Sequence, residues 1–99
     1  MHKYIVNATI QILPLAQDMH PYEWVDDAIT VIEASDVKYE VRPFSTELEG
    51  TYEQIVKLFN DINEHLYFKK CTEWICNLQV QIRTHGDMTS DEKTAKYKR

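Results

Sequence analysis

Glycine and cysteine are both scarce in this sequence of 99 residues, which contains two of each. Two isolated glycines, Gly50 and Gly86, cannot build the glycine-rich loop that cradles a phosphate group, so the common nucleotide-binding loops are excluded. The cysteines, Cys71 and Cys76, are five positions apart at the start of a predicted strand. Their opposite parity would point them to opposite faces of a sheet, which disfavours a disulfide or a shared metal ion. We therefore expect two reduced thiols.

Long apolar runs and an excess of basic residues are absent as well. No stretch approaches the roughly 18 apolar residues of a membrane-spanning helix, and no apolar segment typical of a secretory signal follows Met1. Lysine and arginine number 11 against 16 acidic residues, which gives a net charge of −5. Because nucleic-acid binders carry basic residues in excess, this balance argues against a nucleic-acid partner. Together with reduced thiols, these absences predict a cytoplasmic protein with no membrane partner.

Side chains for catalysis or metal binding do not cluster in the sequence. The four histidines are scattered over a terminus, a helix start, a helix end and a loop: His2, His20, His65 and His85. No nucleophile with an accompanying base is identifiable. The sequence therefore predicts neither a metal site nor an enzyme.

Hydrophobic periodicity predicts six elements of secondary structure. Strands are expected at 4–13, 37–42, 45–49 and 73–83, and helices at 21–34 and about 52–67. This βαββαβ order is the ferredoxin-like arrangement, an α+β fold. Right-handed crossovers would place both helices on one face of a four-stranded antiparallel sheet, with the first and last strands adjacent. The length allows one domain and is too short for two, so residues 1–99 are expected to form a single ferredoxin-like domain.

The segment 43–54 contains the junction between a predicted strand and the second predicted helix. Gly50 carries no Cβ, so the chain could reverse sharply there. Thr51 and Gln54 fit a capping box, in which the threonine oxygen caps the helix amides and the glutamine side chain reaches back. We therefore expect the strand to stop at Gly50 and the helix to begin at once.

Two carboxylates, Glu47 and Glu49, lie two positions apart before this junction and should share one face of the strand. One interpretation is a plain strand-to-helix junction with solvated glutamates. The other is that Thr46 and Glu49 line a site for a small ligand. The spacing by itself leaves both open and names no ligand.

Uncharged polar residues occupy one face of the first and last predicted strands. These residues are Asn7, Thr9, Gln11, Asn77, Gln79 and Gln81. A surface that only meets water usually carries lysine and glutamate, whereas amides and hydroxyls tolerate partial burial when they find partners. This face is therefore predicted to meet another sheet, either as an oligomer interface without a ligand or as one that also encloses a ligand.

The C-terminal segment, residues 86–99, is polar and could be a frayed end. Thr89 and Glu92 nevertheless form a second capping-box pattern, and Glu92 and Lys96 form a favourable pair one turn apart. A short helix from about Ser90 to Tyr97 is predicted. Because so short a helix is marginal alone, we expect it to serve as an oligomerisation or docking segment.

With these residues in view, the chain resembles the small thiamine-binding protein family. Four pieces carry the resemblance: Ile10–Leu15, Val37–Val41 with Pro43, Ser45–Gly50, and Met88–Lys98. The order and spacing of all four are more specific than any one of them, and together they span nearly the whole chain.

This resemblance implies a ferredoxin-like subunit that pairs through its sheets into a homodimer or homotetramer. It also implies binding of thiamine or its hydroxymethylpyrimidine portion, without catalysis and without a cofactor. Three residues match the family motif one by one and four polar strand residues match it in character. The implied ligand-binding residues are Thr46, Glu49, Gly50, Thr9, Gln11, Asn77 and Gln79.

The chemistry of thiamine is compatible with these residues. An amide such as Gln11 or Asn77 can pair with the donor and acceptor of an aminopyrimidine, and Glu49 can offset the cationic thiazolium. Tyr39 or Trp74 could stack on the cation if either reaches the site. The implied role is sensing, buffering or delivery of the vitamin. The alternative is an interaction module that self-associates through its polar sheet face without a ligand.

Overall fold

The computed structural model describes residues 1–16 and 20–94 of the chain. Its elements are β1 (Ile5–Pro14), α1 (Pro21–Glu33), β2 (Lys38–Val41), β3 (Thr46–Thr51), α2 (Tyr52–Phe68), β4 (Trp74–Gln81) and α3 (Ser90–Thr94). The strands form one antiparallel sheet in the order β2-β3-β1-β4, and α1 and α2 pack together against one side of it. The predicted ferredoxin-like α+β fold is confirmed, and the bounds of the first six elements lie within two residues of those predicted.

Strand β1 is the centre of the sheet. It pairs with β3 from Ile5 to Ile10 and with β4 from Asn7 to Pro14. The predicted adjacency of the first and last strands is therefore confirmed. Because β3 begins at the partner of Ile10, the stretch of β1 from Gln11 to Pro14 pairs only with β4 and lies beside the β2–β3 turn.

The hydrophobic core lies between the sheet and the two long helices. Val6, Ile10 and Leu48 on the sheet and Trp24 and Ile62 on the helices are at most 3% exposed. Burial of each such aliphatic side chain stabilises the fold by about 1.5–3 kcal/mol. This layer fixes one side of β1 and β3, and the alternation of strand residues sends their other side chains to the opposite side of the sheet.

Both long helices begin with reciprocal caps. In α2 the Gln54 amide donates to the Thr51 hydroxyl (3.2 Å), while the Thr51 amide donates to the Gln54 side chain (2.9 Å), so the predicted capping box is confirmed. Helix α1 starts with Pro21 at its first position and His20 as the capping residue, whose partner is Glu23. These caps satisfy amides that a helix start would otherwise leave without partners.

The prediction about Gly50 was wrong in its mechanism. The glycine lies inside β3, the strand continues to Thr51, and neither glycine has a positive φ. A side chain at this position would crowd the capping box, because an added Cβ would lie 2.9 Å from the Gln54 side-chain oxygen. The missing side chain therefore admits the glutamine of the capping box rather than a chain reversal.

The parity argument for the cysteines also fails, because Cys71 precedes β4. Helix α2 ends in a turn in which Lys70 adopts a left-handed φ of 66° and the Cys71 amide donates to the Leu66 carbonyl (3.0 Å). This pattern is a Schellman motif, and it buries Cys71 in the connection. Both cysteines are reduced in the structure, as expected, but strand geometry is not the reason.

The C-terminal segment is attached to the sheet within its described part. The Met88 amide donates to the Ile5 carbonyl, and the Ile5 amide donates to the Asp87 carboxylate, each at 2.8 Å. Arg83 and Glu92 then form an ion pair at 2.7 Å. The predicted helix begins at Ser90, and its expected continuation to Tyr97 lies outside the described residues. Across the described ranges, no helix is both long enough and apolar enough to cross a membrane.

Candidate functional site

The side of the sheet that faces away from α1 and α2, called the open face here, carries most of the predicted site residues. Thr9 is the cross-strand partner of Gln79, and Gln11 is the partner of Asn77. Neighbouring strands are about 4.8 Å apart, so these side chains form one continuous surface. We call the part built on β1 and β4 the uncharged half, consisting of Asn7, Thr9, Gln11, Asn77, Gln79 and Gln81.

Three of the six side chains of the uncharged half are hydrogen-bonded, and one of them is Asn7, which is buried and donates to the Leu48 carbonyl (3.3 Å). The Asn77 amide nitrogen donates to the Gln11 side-chain oxygen (3.3 Å), and the Gln11 nitrogen donates to the Phe44 carbonyl (2.9 Å). Within the described residues, neither the Thr9 hydroxyl nor the Gln79 amide has a hydrogen-bond partner. The half therefore presents donors and acceptors that water, a ligand or another protein surface must satisfy.

Two adjoining depressions cover the uncharged half. One, of about 340 Å³, lies over Asn7, Thr9, Gln79 and Gln81 with backbone neighbours. The other, of about 410 Å³, extends from Thr9 and Gln79 to the β2–β3 turn. Small-molecule sites commonly occupy roughly 300–1,000 Å³. The open face thus offers room for a small planar ligand beside uncharged polar groups.

The part of the open face built on β2 and β3, called the charged half here, is different. It consists of Lys38, Glu40, Arg42, Glu47 and Glu49. The Lys38 ammonium lies 3.6 Å from Glu49, whose side chain is 11% exposed, and the Arg42 guanidinium lies 3.9 Å from Glu47. Asp91 and Thr94 of α3 help to line a depression of about 160 Å³ in this half. The charged side chains of this half therefore find opposite charges within the half, and α3 lies beside them.

Thr46 and Gly50, predicted as site residues, lie on the helix-facing side of β3. Thr46 is the partner of Ile10 and Gly50 that of Val6, and both are buried. Thr46 lines an apolar cavity of about 90 Å³ under the β2–β3 turn. Strand alternation separates them from Glu49. The structure therefore brings Thr9, Gln11, Asn77 and Gln79 together, sets Glu49 one strand away, and places Thr46 and Gly50 behind the sheet.

The two aromatic residues considered for stacking are also behind or beside the open face. The Trp74 indole donates to the Asn63 side chain (2.8 Å), and the partner of Trp74 in the sheet is Pro14. Tyr39 pairs with Leu48 on the helix-facing side of an edge strand. Trp74 therefore does not reach the uncharged half.

Two residues that border the candidate site were not among the predicted ligand-binding residues, although Glu47 was predicted to share a strand face with Glu49. Phe44, at the tip of the β2–β3 turn, is 85% exposed and lines the depression of about 410 Å³. Glu47 is the cross-strand partner of Thr9. The parity of Glu47 with Glu49 correctly placed it on this face, whereas the position of Phe44 depends on how the turn meets β1.

Nothing in the described part of the chain resembles a metal centre, since no three histidine, cysteine or acidic side chains come close enough to share an ion. Burial raises the pKa of the Cys76 thiol, and a hydrogen bond from Asn63 opposes this effect. A thiol with a raised pKa holds its proton near neutrality, so it lacks the thiolate character of an activated nucleophile.

Comparison with known proteins places the chain among relatives along nearly its full length. The model of the thiamine-binding protein family matches residues 8–98. A UPF0045 protein of Clostridium perfringens is 33% identical over 92 residues, which cover 93% of this chain and 96% of that protein.

Solved structures give the same result. A domain of unknown function from Bacillus cereus superposes with a TM-score of 0.90 at 28% identity, covering 97% of this chain and 92% of that one. A candidate thiamine biosynthesis or salvage protein of Thermotoga maritima has a TM-score of 0.81 at 28% identity, with 95% and 99% covered. The match of the family model along nearly the full chain, on this fold, shows that the protein belongs to the thiamine-binding protein family.

Proposed function

We propose that the protein binds thiamine, or its hydroxymethylpyrimidine moiety, on the uncharged half of the open face, and that it does so without catalysis. The observation that carries this proposal is the pair of adjoining depressions that share Thr9 and Gln79. Both residues have hydrogen-bonding capacity that the described protein leaves unused. Membership of a thiamine-binding family supports the choice of ligand.

The chemistry of the two ligand rings matches the two halves. An aminopyrimidine carries a donor beside an acceptor, which amides such as Gln79 and Asn77 can answer with their own acceptor and donor. The thiazolium is permanently cationic and is attracted to the carboxylates of Glu47 and Glu49, one strand away from Thr9 and Asn7. A ligand that lies across β4, β1 and β3 would place each ring over its complementary half. Thr46 and Gly50 would then act from behind the sheet, by shaping β3.

A second copy of the chain is part of the proposal. Leu13 and Ile75 are cross-strand partners at the end of the uncharged half and are 39% and 46% exposed. This apolar pair next to the amides favours cover by another open face, which would exclude water from the ligand. Residues 86–99 would contribute as an assembly or docking segment of a single domain. The resulting homodimer or homotetramer would sense, buffer or deliver the vitamin in the cytoplasm, where both cysteines stay reduced.

The second candidate function is self-association without a ligand. The exposed Leu13–Ile75 pair favours self-association as much as it favours ligand binding, because any second protein surface that covers the pair would remove it from water. The two functions differ in whether a small molecule stabilises the assembly.

A thermal-shift experiment tests the proposal directly. A ligand at a hundredfold excess over its Kd stabilises the folded protein by about 2.7 kcal/mol, and about 1 kcal/mol raises the Tm of a domain of this size by roughly 4–8 °C. Taken together, these estimates predict that thiamine or hydroxymethylpyrimidine raises the Tm by about ten degrees or more. Protein concentration is held constant, and light scattering follows the mass relative to the 11.7 kDa chain. If the Tm does not change and the mass exceeds that of one chain, the second candidate function, self-association without a ligand, takes the place of the first. If the Tm does not change and the mass is that of a monomer, both candidate functions are wrong.

A further inference from the structure

Phe44 holds an aromatic ring in solvent at the border of the uncharged half. The residue is 85% exposed and borders the same depression as Thr9, Asn77 and Gln79, as well as the small cavity under the β2–β3 turn. Exposed aromatic residues are common singly and need no explanation by themselves. What sets this one apart is that the depression it borders also contains Thr9 and Gln79, whose side chains lack hydrogen-bond partners among the described residues.

The backbone that carries the ring is held from two sides. Pro43 fixes its own φ near −65°, and the Arg42 amide donates to the Ser45 carbonyl (2.8 Å) to close the turn. From the other side, the Gln11 amide nitrogen donates to the Phe44 carbonyl (2.9 Å). A side chain on a held backbone loses less freedom when it binds, so its contacts contribute more to affinity.

The same hydrogen bonds connect the ring to the amides of the uncharged half. The Gln11 side-chain nitrogen donates to the Phe44 carbonyl, and the Gln11 side-chain oxygen accepts from Asn77. These two hydrogen bonds fix the amide group of Gln11 in one orientation. The Asn77 side chain donates one N–H to Gln11, so its carbonyl oxygen and its second N–H remain available to a ligand. Phe44, Gln11 and Asn77 thus form one connected unit around the depression of about 410 Å³.

We propose that Phe44 is the stacking surface for the aminopyrimidine ring and a specificity-determining residue of the site; this inference rests on the proposed function. Phe44 supplies a flat apolar ring on which the pyrimidine can stack. The amides of Asn77 and Gln79 supply donors and acceptors for the edge of the pyrimidine ring. Planar heteroaromatic rings are bound in this way, by stacking on an aromatic side chain while amides read the ring edge. The ring assigned to Phe44 is the pyrimidine because Phe44 lines the same depression as the amides of Asn77 and Gln79, which can pair with the donor and acceptor of an aminopyrimidine.

Titration calorimetry with two compounds and four proteins tests this inference. Thiamine and hydroxymethylpyrimidine are each titrated into the unmodified protein, Phe44→Ala, Phe44→Trp and the control Phe68→Ala. Phe68 ends α2 and is 79% exposed, so the control removes an equally exposed ring from the other layer of the molecule. Phe44→Ala should weaken both compounds by the same factor, about tenfold, whereas Phe44→Trp should bind like the unmodified protein and Phe68→Ala should change nothing.

Each other outcome overturns the inference in a recognisable way. Unchanged affinity of Phe44→Ala for both compounds removes the stacking role and leaves the proposed function intact. Weakened binding of thiamine alone assigns the ring to the thiazolium instead. A lower mass of Phe44→Ala in light scattering, with unchanged affinity per chain, assigns Phe44 to contact between copies. If the unmodified protein binds neither compound, the proposed function fails and the inference fails with it.

Discussion

The charged and uncharged halves of the open face lie on one sheet, but they satisfy their polar groups by different means. In the charged half, Glu47 and Glu49 each have a cation within 4 Å, and α3 packs beside them. In the uncharged half, Thr9 and Gln79 have no hydrogen-bond partner among the described residues. The carboxylates of the charged half are already partly neutralised by the protein, whereas the unused donors and acceptors of the uncharged half are satisfied from outside. In the proposed function this difference favours β1 and β4 for binding the pyrimidine, while the carboxylates of β3 would attract the cation.

The layers beneath the two halves differ as well. On β3, which supports the charged half, the inward residues Thr46, Leu48 and Gly50 are all buried. On β4, which supports the uncharged half, the inward residues are only half-buried, Leu78 among them. The helices therefore cover β3 more fully than the edge strand β4. Four predictions test this comparison, from the largest expected effect to the smallest.

Replacing Leu48 by alanine should cost about 2–5 kcal/mol of unfolding free energy, because the side chain is 1% exposed and its loss leaves a cavity. Leu78→Ala should cost distinctly less, since its half-buried side chain has less contact area to lose. Urea denaturation of both variants at one protein concentration measures the difference. Equal losses would mean that another surface, such as a second copy, completes the cover of β4.

Replacing Glu47 and Glu49 together by glutamine should weaken thiamine binding by about tenfold or more, because a carboxylate about 4 Å from the cationic thiazolium attracts it by about 1 kcal/mol in water and by more near a protein surface. Hydroxymethylpyrimidine, which lacks the cation, should bind as before. Calorimetric titration gives both affinities.

The control for this double variant is Glu53→Gln, whose carboxylate pairs with Lys3 at 2.9 Å on the exposed start of α2. It should leave both affinities unchanged. Equal weakening of both compounds by the double variant would show that the carboxylates act on the sheet rather than on the thiazolium.

Thr9→Val should weaken thiamine and hydroxymethylpyrimidine alike by about fivefold, the loss of one hydrogen bond of about 1 kcal/mol. The unfolding midpoint without ligand should hardly move, because the Thr9 hydroxyl has no partner in the described protein. Thr72→Val, an exposed threonine in the connection before β4, serves as the matched control. Unaltered binding by Thr9→Val would place the ligand away from Thr9, one of the two residues that the depressions share.

Glu92→Gln should have the smallest effect, because the ion pair with Arg83 is partly exposed at 31% and 47%. Such pairs contribute about 0.2–1 kcal/mol. We expect faster amide exchange over Ser90–Thr94 with an unchanged global unfolding midpoint. Lys57→Gln, which breaks an exposed pair of the same length (2.7 Å) on α2, should leave exchange in α3 unchanged. Unaltered exchange in Glu92→Gln would show that other contacts hold α3 on the charged half.

Local patterns in the sequence were sufficient to predict the helices and strands and to predict on which side of the sheet each strand residue lies. The alternation of Asn7, Thr9 and Gln11, and of Asn77, Gln79 and Gln81, predicted which side chains share a face. The topology rules for βαββαβ then predicted that these two strands are neighbours. The cap at Thr51 was readable because a capping box depends on residues only three positions apart. Each of these features follows from short-range geometry, which one sequence contains.

The sequence alone therefore determined the fold, the polar face and the cap, whereas the tertiary structure decided how distant segments meet. It shows that Gly50 makes room for Gln54, that Cys71 lies in the turn that ends α2, and that the open end of β1 brings Gln11 to the carbonyl of Phe44. Contacts of this last kind depend on where β3 begins relative to β1, a register set by side chains packing across the core. Periodicity within one strand does not contain that register.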